Sequence, residues 1–189
     1  MQRVFSVILF ISFTVLSTVL GSGCGLLFTT VKPVDEKSKN YRVADLSKDN
    51  LDWTRLEPSA SDSSPASAPA ESSDLTDVAY QSKQTASIIS LNSACRLKAG
   101  PDSLAVISHE LILGVTEVSQ HDEKNIDVSG MPALETTLQG KLNGEPIAMK
   151  TVVLKKEACT YDLIYVARPA HFLAQQADFS HFVSSLHLK

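Results

Sequence analysis

The sequence is short of everything that would hold a reactive centre together. Its three cysteines stand far apart at Cys24, Cys95 and Cys159, with no CxxC pair, so the usual zinc spacing is missing. His109-Glu110 begins like a metalloprotease helix, but position 113 is Leu rather than the second histidine. No GxGxxG or GxxxxGK[ST] run occurs, which removes the two common phosphate cradles. No serine stands in GxSxG, which removes the nucleophile elbow. His171, Asp178 and His181 flank one segment, yet ten positions between the two histidines is no recognised ligand spacing. Asp122-Glu123 with Asp127 lacks the glycine and terminal glutamate of a calcium loop. The sequence nominates no catalytic residue, no metal ligand and no cofactor.

Basic charge is scarce as well. Lys+Arg number 17 against 21 Asp+Glu, a formal net charge of −4. A protein that neutralises many phosphates shows the opposite balance, so nucleic acid is not an expected partner. Arg42 and Arg55 with Lys48 suggest at most a small basic patch, and scattered surface charge is the simpler reading.

Charge of either sign is absent from Val4 to Leu20, a run of Val, Phe, Ile and Leu spaced by Ser and Thr. Arg3 precedes it, and the small residues Gly21-Ser22-Gly23 follow. A basic start, an apolar stretch and a small-residue site make residues 1–23 a secretory signal. Cys24 comes immediately after. A thiol at that place resembles the bacterial lipoprotein signal, in which the Cys is acylated and becomes the mature N-terminus. Gly21 stands where that signal prefers Leu, with Leu20 one position earlier, so ordinary signal-peptidase cleavage and an uncleaved anchor are the alternatives. Gly25 resembles outer-membrane sorting more than inner-membrane retention. Two or three acyl chains on one Cys hold a protein far more firmly than the single chain that binds only marginally.

With Cys24 set aside, Cys95 and Cys159 form an even pair in an oxidising compartment, and a disulfide between them is the expectation. Closing 64 residues would contribute about 4 kcal/mol in the chain-entropy account. Two buried free thiols are the alternative.

Residues 24–40 read as a membrane tether and 41–189 as one α+β domain. Within it, Tyr41-Arg42-Val43-Ala44 suggests a short strand, and 51–56 reads as a better one with Leu51, Trp53 and Arg55 on one face. Residues 58–77 are rich in Ser, Ala and Pro with acidic charge only, too poor in apolar surface to offset ordering, and read as a disordered insertion, a linker to a domain starting near residue 75 being the alternative. Strands are expected over 78–83 and 85–91. A buried helix is expected over about 102–114, from Leu104, Ile107, Leu111 and Val115 at helical spacing, then a polar loop over 119–132. Asn143-Gly144 between two strand-like runs is the strongest short hairpin signal. It organises an antiparallel meander over about 135–167. A last helix over about 178–187 takes Asp178 as N-cap, carries Phe179, Phe182, Val183 and Leu186 inward, and has His187 near its end.

An early strand Trp, this element order and the C-terminal F-x-x-F-V-x-S-L run of Phe179–Leu186 together resemble the PsbP-like family of α/β/α sandwiches. The resemblance implies an accessory or binding role rather than catalysis. The expected function is a non-enzymatic, lipid-anchored binding or scaffold module. It would face the periplasm, outer membrane slightly favoured, with the membrane as one partner through Cys24 and an envelope protein as another. A carrier of a lipid or apolar ligand is the alternative. A hydrolase with an unfamiliar site, using His109, His171 or His181, is the second.

Overall fold

The computed structural model describes residues 40–57, 76–95 and 103–189. The expected signal 1–23, most of the tether 24–40 with Cys24, and residues 58–75 of the expected insertion lie outside the described residues. Thr76 and Asp77, also assigned to that insertion, are instead buried at the start of a strand.

The architecture is α+β around one antiparallel sheet of seven strands. The strands are β2 (Trp53–Arg55), β3 (Val78–Ser82), β4 (Ile88–Cys95), β5 (Val115–Val128), β6 (Met131–Leu142), β7 (Glu145–Lys156) and β8 (Cys159–Ala167), in the spatial order β2-β3-β4-β8-β7-β6-β5. Strands β5 to β8 pair in succession through two-residue reversals. Asn143 and Gly144 both take positive φ, 51° and 84°, the turn whose twist matches that of the flanking strands. A separate two-stranded sheet joins β1 (Tyr41–Arg42) to β9 (His187–Leu188). The helices are α1 (Leu46–Asp49), α2 (Leu104–Leu111), α3 (Pro169–Phe172) and α4 (Gln176–Ser184), with a 3-10 turn at Leu173–Gln175.

Strand β8 is buried at every position from Tyr161 to Ala167, which is why it reads as a nearly unbroken apolar run rather than an alternation. Its odd-numbered residues, Tyr161, Leu163, Tyr165 and Ala167, join Phe172, Phe179, Phe182 and Leu186 in the larger core under α3 and α4. Its even-numbered Ile164 and Val166 join Leu138, Met149 and Ile147 in a smaller core, against which Leu111 and Ile112 pack. The sheet thus has helical cover on both faces. Tyr165 stacks on Phe172 and on Phe179, with ring centroids 5.1 Å and 5.7 Å apart, and its hydroxyl donates to the Phe172 carbonyl at 2.9 Å.

Several expectations need correction. Helix α2 is shorter than 102–114 and not buried: Ser108 is its one buried residue, and it is fastened by a 2.7 Å hydroxyl contact to Thr136. The apolar spacing is present, but half of that side looks at solvent, with Val106 46% exposed. Residues 119–132 are not a loop. They belong to β5, to a turn at Ser129-Gly130 with φ of 54° and 78°, and to the start of β6. Strand β5 is an edge with only Val128 buried, so neither of its faces had to be apolar. Asp178 is not an N-cap; α4 begins at Gln176, and Asp178 lies in its first turn. His187 does not lie at the end of that helix but in β9. Leu51 does not share the inner face with Trp53: the first is 82% exposed, the second 1%.

Gly140 answers a packing demand. The irregular register of β5 between Thr116 and Gln120 brings that strand so near that a Cβ on Gly140 would meet the Thr116 carbonyl oxygen at 2.8 Å.

Candidate functional site

The disulfide joins Cys95 and Cys159, which face each other in register at the end of the β4–β8 pair. The pairing follows from topology: the last residue of one strand and the first of its neighbour meet at the same rung.

Among the described residues the histidines do not converge. His109 and His187 are exposed. His121 lies 3.2 Å from Glu123 at an exposed edge, and His181 lies 3.3 Å from Asp49 at the surface. His171 is in α3, ten residues from His181, and nothing brings it to that pair. No group of three ligating side chains forms among the described residues.

One polar cluster is well built but closed. Asp52 accepts from Ser82 Oγ at 2.7 Å, from Gln175 Nε2 at 2.8 Å and from the Gln84 amide at 3.1 Å. Thr85 Oγ1 donates to Gln175 Oε1 at 2.7 Å. Asp178 Oδ2 accepts from the Trp53 indole at 2.9 Å and from Asn50 at 3.3 Å. These bonds tie the paired strands β2 and β3 to the start of α4, so the cluster fastens the fold together.

An open cleft lies elsewhere, where β1 and β9 meet the β2 side of the sheet. Its volume is about 480 Å³, and it is lined by Tyr41, Arg42, Val43, Asp45, Lys48, Arg55, Val78, Tyr80 and Lys189. Strand β1 supplies Tyr41 and Arg42, α1 supplies Lys48, β2 supplies Arg55 and β3 supplies Tyr80. Pairing of Arg42 with His187 and of Tyr41 with Leu188 holds the C-terminal residues at the rim, helped by the bond from the Lys189 amide to the Asn40 carbonyl at 2.8 Å. Arg42, Lys48 and Arg55, three scattered basic residues in sequence, thus line one cavity. Lys189 and the two tyrosines are additions the sequence did not suggest.

The electrostatics are lopsided. Asp45 is the cleft's one carboxylate side chain, and it already caps α1 through the Ser47 amide at 3.2 Å and pairs with Lys48 at 3.2 Å. Burial works against its charge, but the bonds from Ser47 and Lys48 outweigh that and hold its carboxyl below the usual value. Asp77 is the next carboxylate; it accepts from Ser93 Oγ and acts on Tyr41. Among the described residues no carboxylate lies within ion-pair distance of Arg42 or Arg55. Burial, together with the charge of Asp45, pushes the Tyr80 hydroxyl up to about 12. Burial and Asp77 push Tyr41 well above the ordinary range. Both hydroxyls therefore keep their protons at neutral pH, that of Tyr80 directed at the Ala44 carbonyl at 3.5 Å and that of Tyr41 at Asp77. What the cleft offers a ligand is the positive charge of its Arg and Lys residues.

No family model matches the chain, and no curated relative matches it. Solved structures of similar shape include PA94 of Pseudomonas aeruginosa, a protein of unknown function, at 14% identity over 85% of this chain and 96% of that one, TM-score 0.46. CyanoP, the cyanobacterial PsbP of Synechocystis sp. PCC 6803, is similar at 10% identity over 79% and 93%, TM-score 0.48. LpqN of Mycobacterium tuberculosis, involved in cell envelope biogenesis, is similar at 14% identity over 73% and 79%, TM-score 0.47. At these identities and scores no function passes from those proteins to this chain.

Proposed function

We propose that this chain is a lipid-anchored binding module of the bacterial envelope, held by acyl chains on Cys24 and working without catalysis. The observation that carries this reading is the place of the cleft. Its first lining residue is Tyr41, next to Asn40, where the chain arriving from Cys24 enters the described fold. Seventeen residue steps separate Cys24 from Tyr41, so the cleft works at most about 60 Å from the lipid-bearing residue. The binding surface and the tether share one end of the domain. An envelope protein, met on the periplasmic side, is the partner class that such a module would serve, and Gly25 favours the outer membrane slightly.

The carrier alternative finds no support on the face under α3 and α4, where Trp53, Tyr80, Tyr161, Tyr165, Phe179 and Phe182 are each at most 1% exposed and fill the space between sheet and helices. Among the described residues no helix is long and apolar enough to cross a membrane. The test is the intact mass of the protein extracted from membranes, beside a Cys24→Ser version. Acyl chains on the first and none on the second are expected; an unshifted mass in both refutes the anchor.

A further inference from the structure

From the make-up of the cleft we infer that its ligand is a phosphate-bearing anion of the phosphomonoester class, held by Arg42 and Arg55 and assisted by Lys48 and Lys189. The inference rests on the reading of this cleft as a binding site and names what it binds.

Three observations converge. The first is charge: four basic residues line a cavity whose one lining carboxylate side chain is already paired with Lys48. Arg55 is half-buried beside Tyr41 and Tyr80, and no carboxylate of the described residues reaches it. Bringing like charges together around a cavity is unfavourable unless something of opposite sign sits among them. The second is geometry. Guanidinium groups present planar forks of N–H donors that match phosphate oxygens two at a time, whereas Lys acts as a point charge. Two forks with two ammonium groups suit a compact dianion better than a single carboxylate. The third is size and polarity. About 480 Å³ falls in the usual range for small ligands, but here the walls are mainly Arg, Lys, Tyr and Asp, so an apolar occupant would leave them undersolvated.

Two sources carry that chemistry: a soluble phosphomonoester, or the headgroup of a phosphate-terminated lipid at the surface that the tether reaches. The experiment is isothermal titration of the full chain in non-ionic detergent micelles. The titrants are inorganic phosphate, glycerol 3-phosphate and phosphatidic acid carried in the same micelles, against the parent, Arg42→Gln and Arg55→Gln. Saturable binding to the soluble phosphates, weakened about tenfold or more in both variants, supports the site with a soluble ligand. Binding to phosphatidic acid alone, weakened in the same way, supports it with a lipid headgroup. No saturable binding in any arm, or binding that both variants keep, overturns the inference. Arg42 is exposed on the rim, so its variant stays informative if Arg55→Gln fails to fold. The intact mass at Cys24 is independent of these titrations, so an acylated chain that binds no phosphate would overturn this inference and leave the anchor standing.

Discussion

The centre of the sheet and the cleft beside β1 lie in the same domain and are built on opposite principles. Under α3 and α4, Tyr165, Phe172, Phe179 and Phe182 interlock and exclude water. In the cleft, Arg42, Lys48, Arg55 and Lys189 surround space that no side chain of the described residues fills. The first region lowers the free energy of the fold by apolar burial. The second gathers charge that the fold itself does not require. Substitutions in the first should change stability, and substitutions in the second should change what the molecule binds.

The largest expected effect lies in the aromatic core. Phe182 is fully buried and meets Tyr80 edge to face at 6.0 Å, so Phe182→Ala should destabilise by about 3–5 kcal/mol, read from denaturant midpoints. A loss under about 1 kcal/mol would show that the helical cover is loosely packed. Next comes the disulfide. Cys159→Ser together with Cys95→Ser removes a closure of 64 residues and should cost about 4 kcal/mol, in the 2–5 kcal/mol range of native bridges. Chemical reduction of the parent should lower the melting temperature in step.

A smaller loss is expected where the two regions join. Asp178→Ala leaves the buried Trp53 indole without its acceptor, at about 1–3 kcal/mol. The same substitution should alter Trp53 fluorescence, which has no other tryptophan to confuse it.

How much of this was visible in the sequence depended on burial. Strand β8 and the Asn143-Gly144 turn were legible because two-sided burial demands an apolar run and left-handed backbone favours Asn-Gly. The Cys95–Cys159 pair was legible from parity. Strand β5 was not, since a strand exposed on both faces needs no period, and its Gln, His, Asp, Glu and Lys look like a loop. Helix α2 carried a misleading signal, its apolar spacing being only half covered. The cleft was half legible. Arg42, Lys48 and Arg55 stood out, but only the pairing of β1 with β9 and of β2 with β3 brings them, Tyr80 and Lys189 together. The run Tyr41-Arg42-Val43-Ala44 does suggest a short strand, and β1 lies there, but nothing in the sequence announces its partner β9.

The tyrosines of both regions share one proton chemistry. All four tyrosines, Tyr41, Tyr80, Tyr161 and Tyr165, have hydroxyls pushed above their ordinary value, chiefly by burial, with Tyr80 and Tyr165 at about 12. A raised value means that the folded state holds protons which the unfolded state releases. Stability from these groups is therefore complete below pH 10 and falls as pH rises toward 12. Tyrosinate absorbance should appear in one step with alkaline unfolding. A titration of one or more tyrosines near 10 with the fold intact would place those rings in water.

The claim that the cleft serves binding rather than folding is tested most directly by thermal unfolding of the parent and Arg42→Gln, with and without inorganic phosphate. A ligand that binds only the folded state raises the midpoint in proportion to ln(1 + [L]/Kd). The account predicts equal midpoints without phosphate, a rise with phosphate in the parent, and a much smaller rise in the variant. A variant destabilised as severely as a core substitution, or phosphate raising both midpoints equally, would contradict it.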